Sequence, residues 1–115
     1  MKQYVPPIFM SSILIPSSEI YKMGYNDFLD SIINQGIASA KRDYVAGEKL
    51  DGAIAGFEAC RNKTYEEIVD ILEEVNEYLI TAQRECTSNY WFFRCYQAEV
   101  IFVLKSLQNN PFFKI

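Results

Sequence analysis

The chain has 115 residues, 50% of them apolar and 15% aromatic, with 11 Lys and Arg against 15 Asp and Glu, a net charge of -4 and a pI near 4.8. That is ample apolar material for the core of one domain, it excludes a disordered acidic tail, and the negative balance argues against general nucleic-acid binding. The absence of any histidine excludes Ser-His-Asp and Cys-His catalysis, and three cysteines without CxxC spacing (Cys60, Cys86, Cys95) argue against a structural zinc site and for buried thiols in a reducing compartment.

Residues 1–18, MKQYVPPIFMSSILIPSS, differ in pattern from the rest of the chain. Pro6 and Pro7 force an extended entry and Pro16 stops the stretch between, so this segment is predicted to be a short strand or arm. The chain has no second strand pattern. The arm is therefore expected either to pair with another subunit or to lie as a strap on its own helices. It carries no charged lead into a long apolar run with a small-residue cleavage site, and no apolar run approaches the roughly 20 residues that cross a bilayer. A cytoplasmic protein without a membrane partner is expected.

Residues 19–115 are predicted to form a single all-helical domain. Ser17 or Ser18 can cap a helix from Glu19, weakened by Gly24, and from Tyr25 the residues Phe28, Leu29, Ile32, Ile33, Ile37, Ala40 and Tyr44 recur at helical spacing to about Asp43. Gly47 marks a turn, after which Leu50, Ala53, Ile54, Phe57 and Cys60 resume the period. The two segments make an antiparallel helical hairpin, with Ala38, Ala40, Ala53, Ala55 and Gly56 allowing close approach. This hairpin faintly resembles one tetratricopeptide unit, but it is not repeated along the chain.

Asn62 and Lys63 connect to a helix opened by a capping box, Thr64 with Glu67. Its apolar face is Ile68, Ile71, Leu72, Val75, Leu79 and Ala82, flanked by Tyr78; the opposite face carries Glu66, Glu67, Asp70, Glu73, Glu74, Glu77 and Glu85. Glu66-Glu67-x-x-Asp70 and Glu73-Glu74-x-x-Glu77 resemble the EExxE element of the MazG-type nucleotide pyrophosphohydrolases, which implies magnesium held by carboxylates of facing helices. That family's second motif, ExxD, is missing, because Val100, Ile101 and Phe102 come after Glu99. An ordinary solvated face accounts for the acids; they also permit imitation of nucleic-acid phosphates in the basic groove of another protein, although the modest total charge argues against a strong mimic.

Ser88 or Asn89 can cap the last helix, Asn89 to Leu107, before Asn109, Asn110 and Pro111 end it and leave Phe112 and Phe113 as an apolar tail. Trp91, Cys95, Ala98 and Phe102 fall in one strip, and Phe92, Phe93, Tyr96, Val100, Val103, Leu104 and Leu107 in a broader one. Arg94, Gln97, Lys105 and Gln108 form the only wide polar stripe. So much apolar circumference predicts a central helix, covered on one side by its own chain and on the other by a second copy. Glu99 lies between the two strips where water is scarce, so it needs a partner or a shifted pKa, the expected partner being an arginine, either at a seam or in a ligand site.

The cationic residues suggest a pocket. Arg61 precedes the helix opened by Thr64, whose N-terminus favours an anion, and Arg94 comes after Asn89, Tyr90 and Trp91, rings that stack on a flat ligand while a guanidinium meets phosphate. The candidate ligand-binding residues are Arg61, Thr64, Asn89, Tyr90, Trp91, Arg94 and Glu99, with Arg61 and Arg94 approaching across a subunit boundary. Taken singly, the arginines read better as surface or interface ion-pair residues and Trp91 as core. Apart from the magnesium that the MazG-type resemblance implies, no catalytic residue, metal ligand or cofactor is expected.

GFEACRNKTYEEI (56–68) and YWFFRCYQAEVIFVL (90–104) together resemble a class of small phage-encoded helical proteins with a GxEACRGKT-like stretch and a YWxxRCxxxEVxxV-like helix, although Asn62 stands in place of the glycine. The resemblance implies a viral accessory protein in the host cytoplasm that works by stoichiometric binding, sequestering a nucleotide-like signal or blocking a host protein. The expectation is an all-α helical hairpin plus two longer helices, forming a homo-oligomer through the last helix and the arm and acting as a non-enzymatic, anti-defence type of binding protein. A MazG-like hydrolase and a structural assembly protein are the alternatives.

Overall fold

Apolar residues spaced three and four apart give each helix one face to bury, and four such faces make the core. The computed structural model describes residues 24–85 and 89–109, the side chains of 83–85 excepted. The predicted arm, the helix start at Glu19 with its Ser17 or Ser18 cap, Cys86, Ser88 and the Phe112–Phe113 tail lie outside the described residues. Within them the chain is all-α: α1 (Tyr25–Asp43), α2 (Glu48–Ala59), α3 (Tyr65–Glu85) and α4 (Tyr90–Gln108), with no strand.

Helix α1 buries Phe28, Leu29, Ile32, Ile33 and Ala40, the face that periodicity predicts, and ends on Lys41 and Arg42, whose charges suit the negative end of the helix dipole. Tyr44 leaves in an extended conformation, and Gly47 turns the chain at φ 149°, a conformation L side chains rarely adopt, before α2 begins. The return is antiparallel, since Arg61 meets Asp30 and Phe57 packs on Gly36, where a β-carbon would run into the Phe57 ring. Helix α2 ends in a turn in which Asn62 sits at φ 62°. That is the left-handed region where glycine is preferred and asparagine is tolerated.

The capping box forms as predicted. Glu67 N–H donates to Thr64 Oγ1 at 3.2 Å, and Thr64 N–H donates to Glu67 Oε1 at 2.9 Å. Helix α3 then runs antiparallel to α4, with Gln97 Nε2 donating to Asn76 Oδ1 at 2.6 Å and the Gln108 amide bonded to the Tyr65 hydroxyl at the far end.

Each of the other helices touches α4, most extensively α2, then α3, then α1. The α2 contact depends on glycine: a β-carbon on Gly52 would collide with the Phe92 carbonyl, and one on Gly56 would sit 2.6 Å from the Tyr96 carbonyl oxygen. Gly52 lies on Phe92 and Gly56 on Tyr96, four residues later in both, so α2 and α4 run in the same direction with their backbones nearly touching. Sequence spacing assigns Gly56 to the hairpin. The glycine that lets α1 and α2 close together is instead Gly36, and Gly56 serves the crossing with α4. Phe57 meets Phe102 edge-on at 6.0 Å in the middle of the resulting core.

Helix α4 is central, as its composition predicts, yet more of it is enclosed by its own chain than expected. Cys95, Ala98, Glu99, Val100, Phe102, Val103, Leu104 and Leu107 are all buried within one molecule. Open apolar surface on α4 is concentrated in its first turns, where Trp91 is 51% exposed and Phe92, Phe93 and Tyr96 are half-buried. No helix among the described residues is long and apolar enough to cross a membrane.

Candidate functional site

The antiparallel hairpin and the parallel α2–α4 crossing bring the end of α1, the start of α2 and the start of α4 to the same corner of the bundle. There Tyr44, Lys49, Trp91, Arg94 and Cys95 enclose a pocket of about 160 Å³. Lys49 Nζ lies 4.8 Å from the centroid of the Trp91 ring, and the Arg94 guanidinium 5.9 Å from that of Tyr90. Tyr90 and Trp91 meet edge-on at 5.0 Å. With Lys49 at the half-exposed indole and Arg94 over the neighbouring Tyr90 ring, the corner has the chemistry to meet a flat ring and a negative charge together.

Asn89, expected to cap α4, makes no side-chain cap bond. The amide of Phe92 instead donates to Glu48 Oε2 at 3.3 Å, so a carboxylate at the start of α2 caps α4 from across the crossing. This ties the two helix starts together at the pocket.

Of the residues singled out from sequence, Trp91 and Arg94 come together in this pocket, with Tyr90 beside them. Within one chain Arg61 does not join them. It donates to Glu58 at 2.7 Å, to Asp30 at 3.3 Å and to Asn34 at 2.8 Å, a network that holds the far end of the α1–α2 hairpin. Arg61 lies just past the end of α2, about 15 Å of helix axis from Lys49 to Ala59, and it does not line the pocket. Thr64 spends its hydroxyl on the capping box at that same distant end.

Glu99 lies one turn below Cys95. It is 0% exposed, and neither carboxylate oxygen has a hydrogen-bond partner among the described residues. The expected arginine is not there, and burial alone pushes its carboxyl up to about 8. Helical side chains lean toward the N-terminus, which directs Glu99 back toward Cys95. The thiol of Cys95 is pushed up, first by its burial and further by the Glu99 charge, while a hydrogen bond from Tyr44 and the charges of Lys49 and Arg94 act the other way. Burial pushes the thiol of Cys60, whose Sγ donates to the Gly56 carbonyl, up to about 12, which disfavours its thiolate at neutral pH.

Lys49, Tyr44 and Cys95 are the lining residues that sequence reasoning missed. The available signal was the Gly52-x-x-x-Gly56 spacing: read as a crossing with α4 instead of α1, it places Lys49 three residues before the contact and hence beside Trp91. The acids of α3 face outward. Glu66, Glu67, Asp70, Glu73, Glu74 and Glu77 are exposed, and no three His, Cys, Asp or Glu side chains among the described residues form a group that could hold a metal ion.

Fold and pocket together define a small all-α bundle with a cationic, aromatic corner. Among known proteins no family model, curated sequence or solved structure matches it.

Proposed function

We propose that the chain is a non-catalytic binding protein that sequesters a small anionic ligand with a flat ring, of the nucleotide type, at the Trp91 corner. The observation that carries this reading is one pocket lined by Lys49, Arg94 and the half-exposed Trp91, with Lys49 over the indole and Arg94 over the neighbouring Tyr90 ring. A phosphate group fits the two cations and a base fits the indole, whereas the described residues of the pocket include no group suited to activating water at neutral pH. Stoichiometric capture is also the mode that the resemblance to small phage-encoded helical proteins favours. A second copy seated on the first turn of α4 would close the pocket from outside.

Trp91 is the only tryptophan, so its emission reports on this pocket alone. Titration with cyclic and linear nucleotides is expected to change that emission and raise the melting temperature, with the nucleotide recovered intact after denaturation. Lys49→Ala and Arg94→Ala are each expected to weaken binding by about 10- to 100-fold, the worth of one charge-assisted hydrogen bond. Arg61→Ala, at the other end of α2, is expected to leave affinity unchanged. If no nucleotide shifts the emission, or if the ligand is recovered hydrolysed, the reading fails.

A further inference from the structure

We infer that the groove between α3 and α4 is a docking site for a cationic amphipathic helix of another protein, on a surface separate from the Trp91 corner. The groove, of about 210 Å³, is lined by Ile71, Glu74, Val75 and Tyr78 of α3 and by Phe93 and Tyr96 of α4. Its aromatic rings form a continuous strip, Tyr78 against Phe93 at 4.6 Å and Phe93 against Tyr96 at 5.7 Å. Tyr78 is 37% exposed, on a helix whose Ile68, Val75, Leu79 and Ala82 are buried.

One lip of the groove is acidic. Asp70, Glu73, Glu74 and Glu77 line an adjoining hollow of about 260 Å³, and Glu74 belongs to both. From 65 to 83 the chain has six carboxylates and no Lys or Arg, and among the described side chains no cation pairs with any of them. Those six exceed the net excess of four in the whole chain, so the remaining residues carry two net positive charges. The negative charge of the molecule is therefore concentrated on this ridge.

An apolar aromatic trough bordered by unneutralised carboxylates complements a helix with large apolar residues along one face and Lys or Arg along its flank. The same charge disfavours two other occupants. Nucleic acid would set phosphates against carboxylates, and a two-fold dimer through this face would set ridge against ridge.

The test uses fluorescence anisotropy with three labelled synthetic peptides of about 18 residues, five helical turns: one with Leu and Lys at amphipathic helical spacing, one of the same composition scrambled, and one with Glu replacing Lys. The amphipathic basic peptide is expected to bind one to one, at least about tenfold tighter than the scrambled peptide, with no detectable binding of the acidic one. Tyr78→Ser and the double variant Glu74→Lys/Glu77→Lys are each expected to weaken it by about tenfold or more, while Arg94→Ala leaves it unchanged. The charge-reversed variant lies on exposed helix surface and retains the fold, so it stays decisive should Tyr78→Ser not fold. Equal affinity for the scrambled peptide, or indifference to the double variant, overturns the inference in favour of plain charge adsorption. A self-associating chain whose mass falls on Tyr78→Ser overturns it in favour of a second copy. Loss of nucleotide binding with the groove intact, or the converse, separates this site from the Trp91 corner.

Discussion

Both oxygens of Glu99 are sealed in the core without a partner, so the folded chain holds this carboxyl in its neutral form well above its ordinary 4.5, up to about 8. The unfolded chain releases the proton near 4.5. The stability tied to this group is therefore complete below about pH 4.5 and is lost as pH rises toward 8, by on the order of 5 kcal/mol in all. Denaturant melts across that range are expected to show the decline, and Glu99→Gln, which cannot ionise, is expected to flatten it and to be the more stable form at pH 9. The sequence pointed to this residue, because its place between two apolar strips of one helix is visible from spacing. What supplies or withholds a partner is decided by other helices, and that pairing has no signature in a single periodic pattern.

Asn62 is the other residue under local constraint. At φ 62° a β-carbon without a compensating polar side chain is unfavourable, so Asn62→Ala is expected to lower stability by about 1 kcal/mol, and Asn62→Gly to leave it equal or slightly higher. Chemical melts of the two variants side by side test the backbone argument directly.

At the scale of the helices, apolar spacing located all four segments, and the capping box fixed the start of α3 at the right residue. The partnership of α2 with α4 was not legible in the same way, because glycine carries no side chain to mark the face it serves. Gly52 and Gly56 could have served either neighbour until three-dimensional packing assigned them. Gly52→Ala and Gly56→Ala press a methyl group against backbone carbonyls that no rotamer change can move aside. Each is expected to cost at least about 2 kcal/mol, read as a fall in the midpoint of urea unfolding. Helix α3 shows the opposite opportunity. Glu73 has Asp70 and Glu77 as like-charged neighbours at helical spacing, so Glu73→Lys is expected to raise stability by about 0.5–1 kcal/mol at low salt, and less at high salt.

For the whole molecule, the enclosure of α4 from Cys95 to Leu107 within one chain limits where a second copy would sit. If the protein associates with itself through this helix, the contact falls on Trp91 and the half-buried rings beside it. Sedimentation is then expected to show a mass that Trp91→Ser reduces to the monomer value, while variants lower on the helix leave it unchanged. The broad apolar circumference of α4 was plain in the sequence. How much of it the other helices cover depended on the close α2 crossing, which was not.

The sealed carboxyl of Glu99 also changes how the folded molecule behaves as an ion. Counting formal charges gives -4, but with this group neutral near pH 7 the native state carries about -3. Native isoelectric focusing is therefore expected to place the protein at a higher pH than focusing in urea. Refolding at neutral pH in an almost unbuffered solution is expected to draw close to one hydrogen ion per chain from the solvent, a quantity that a pH electrode can track.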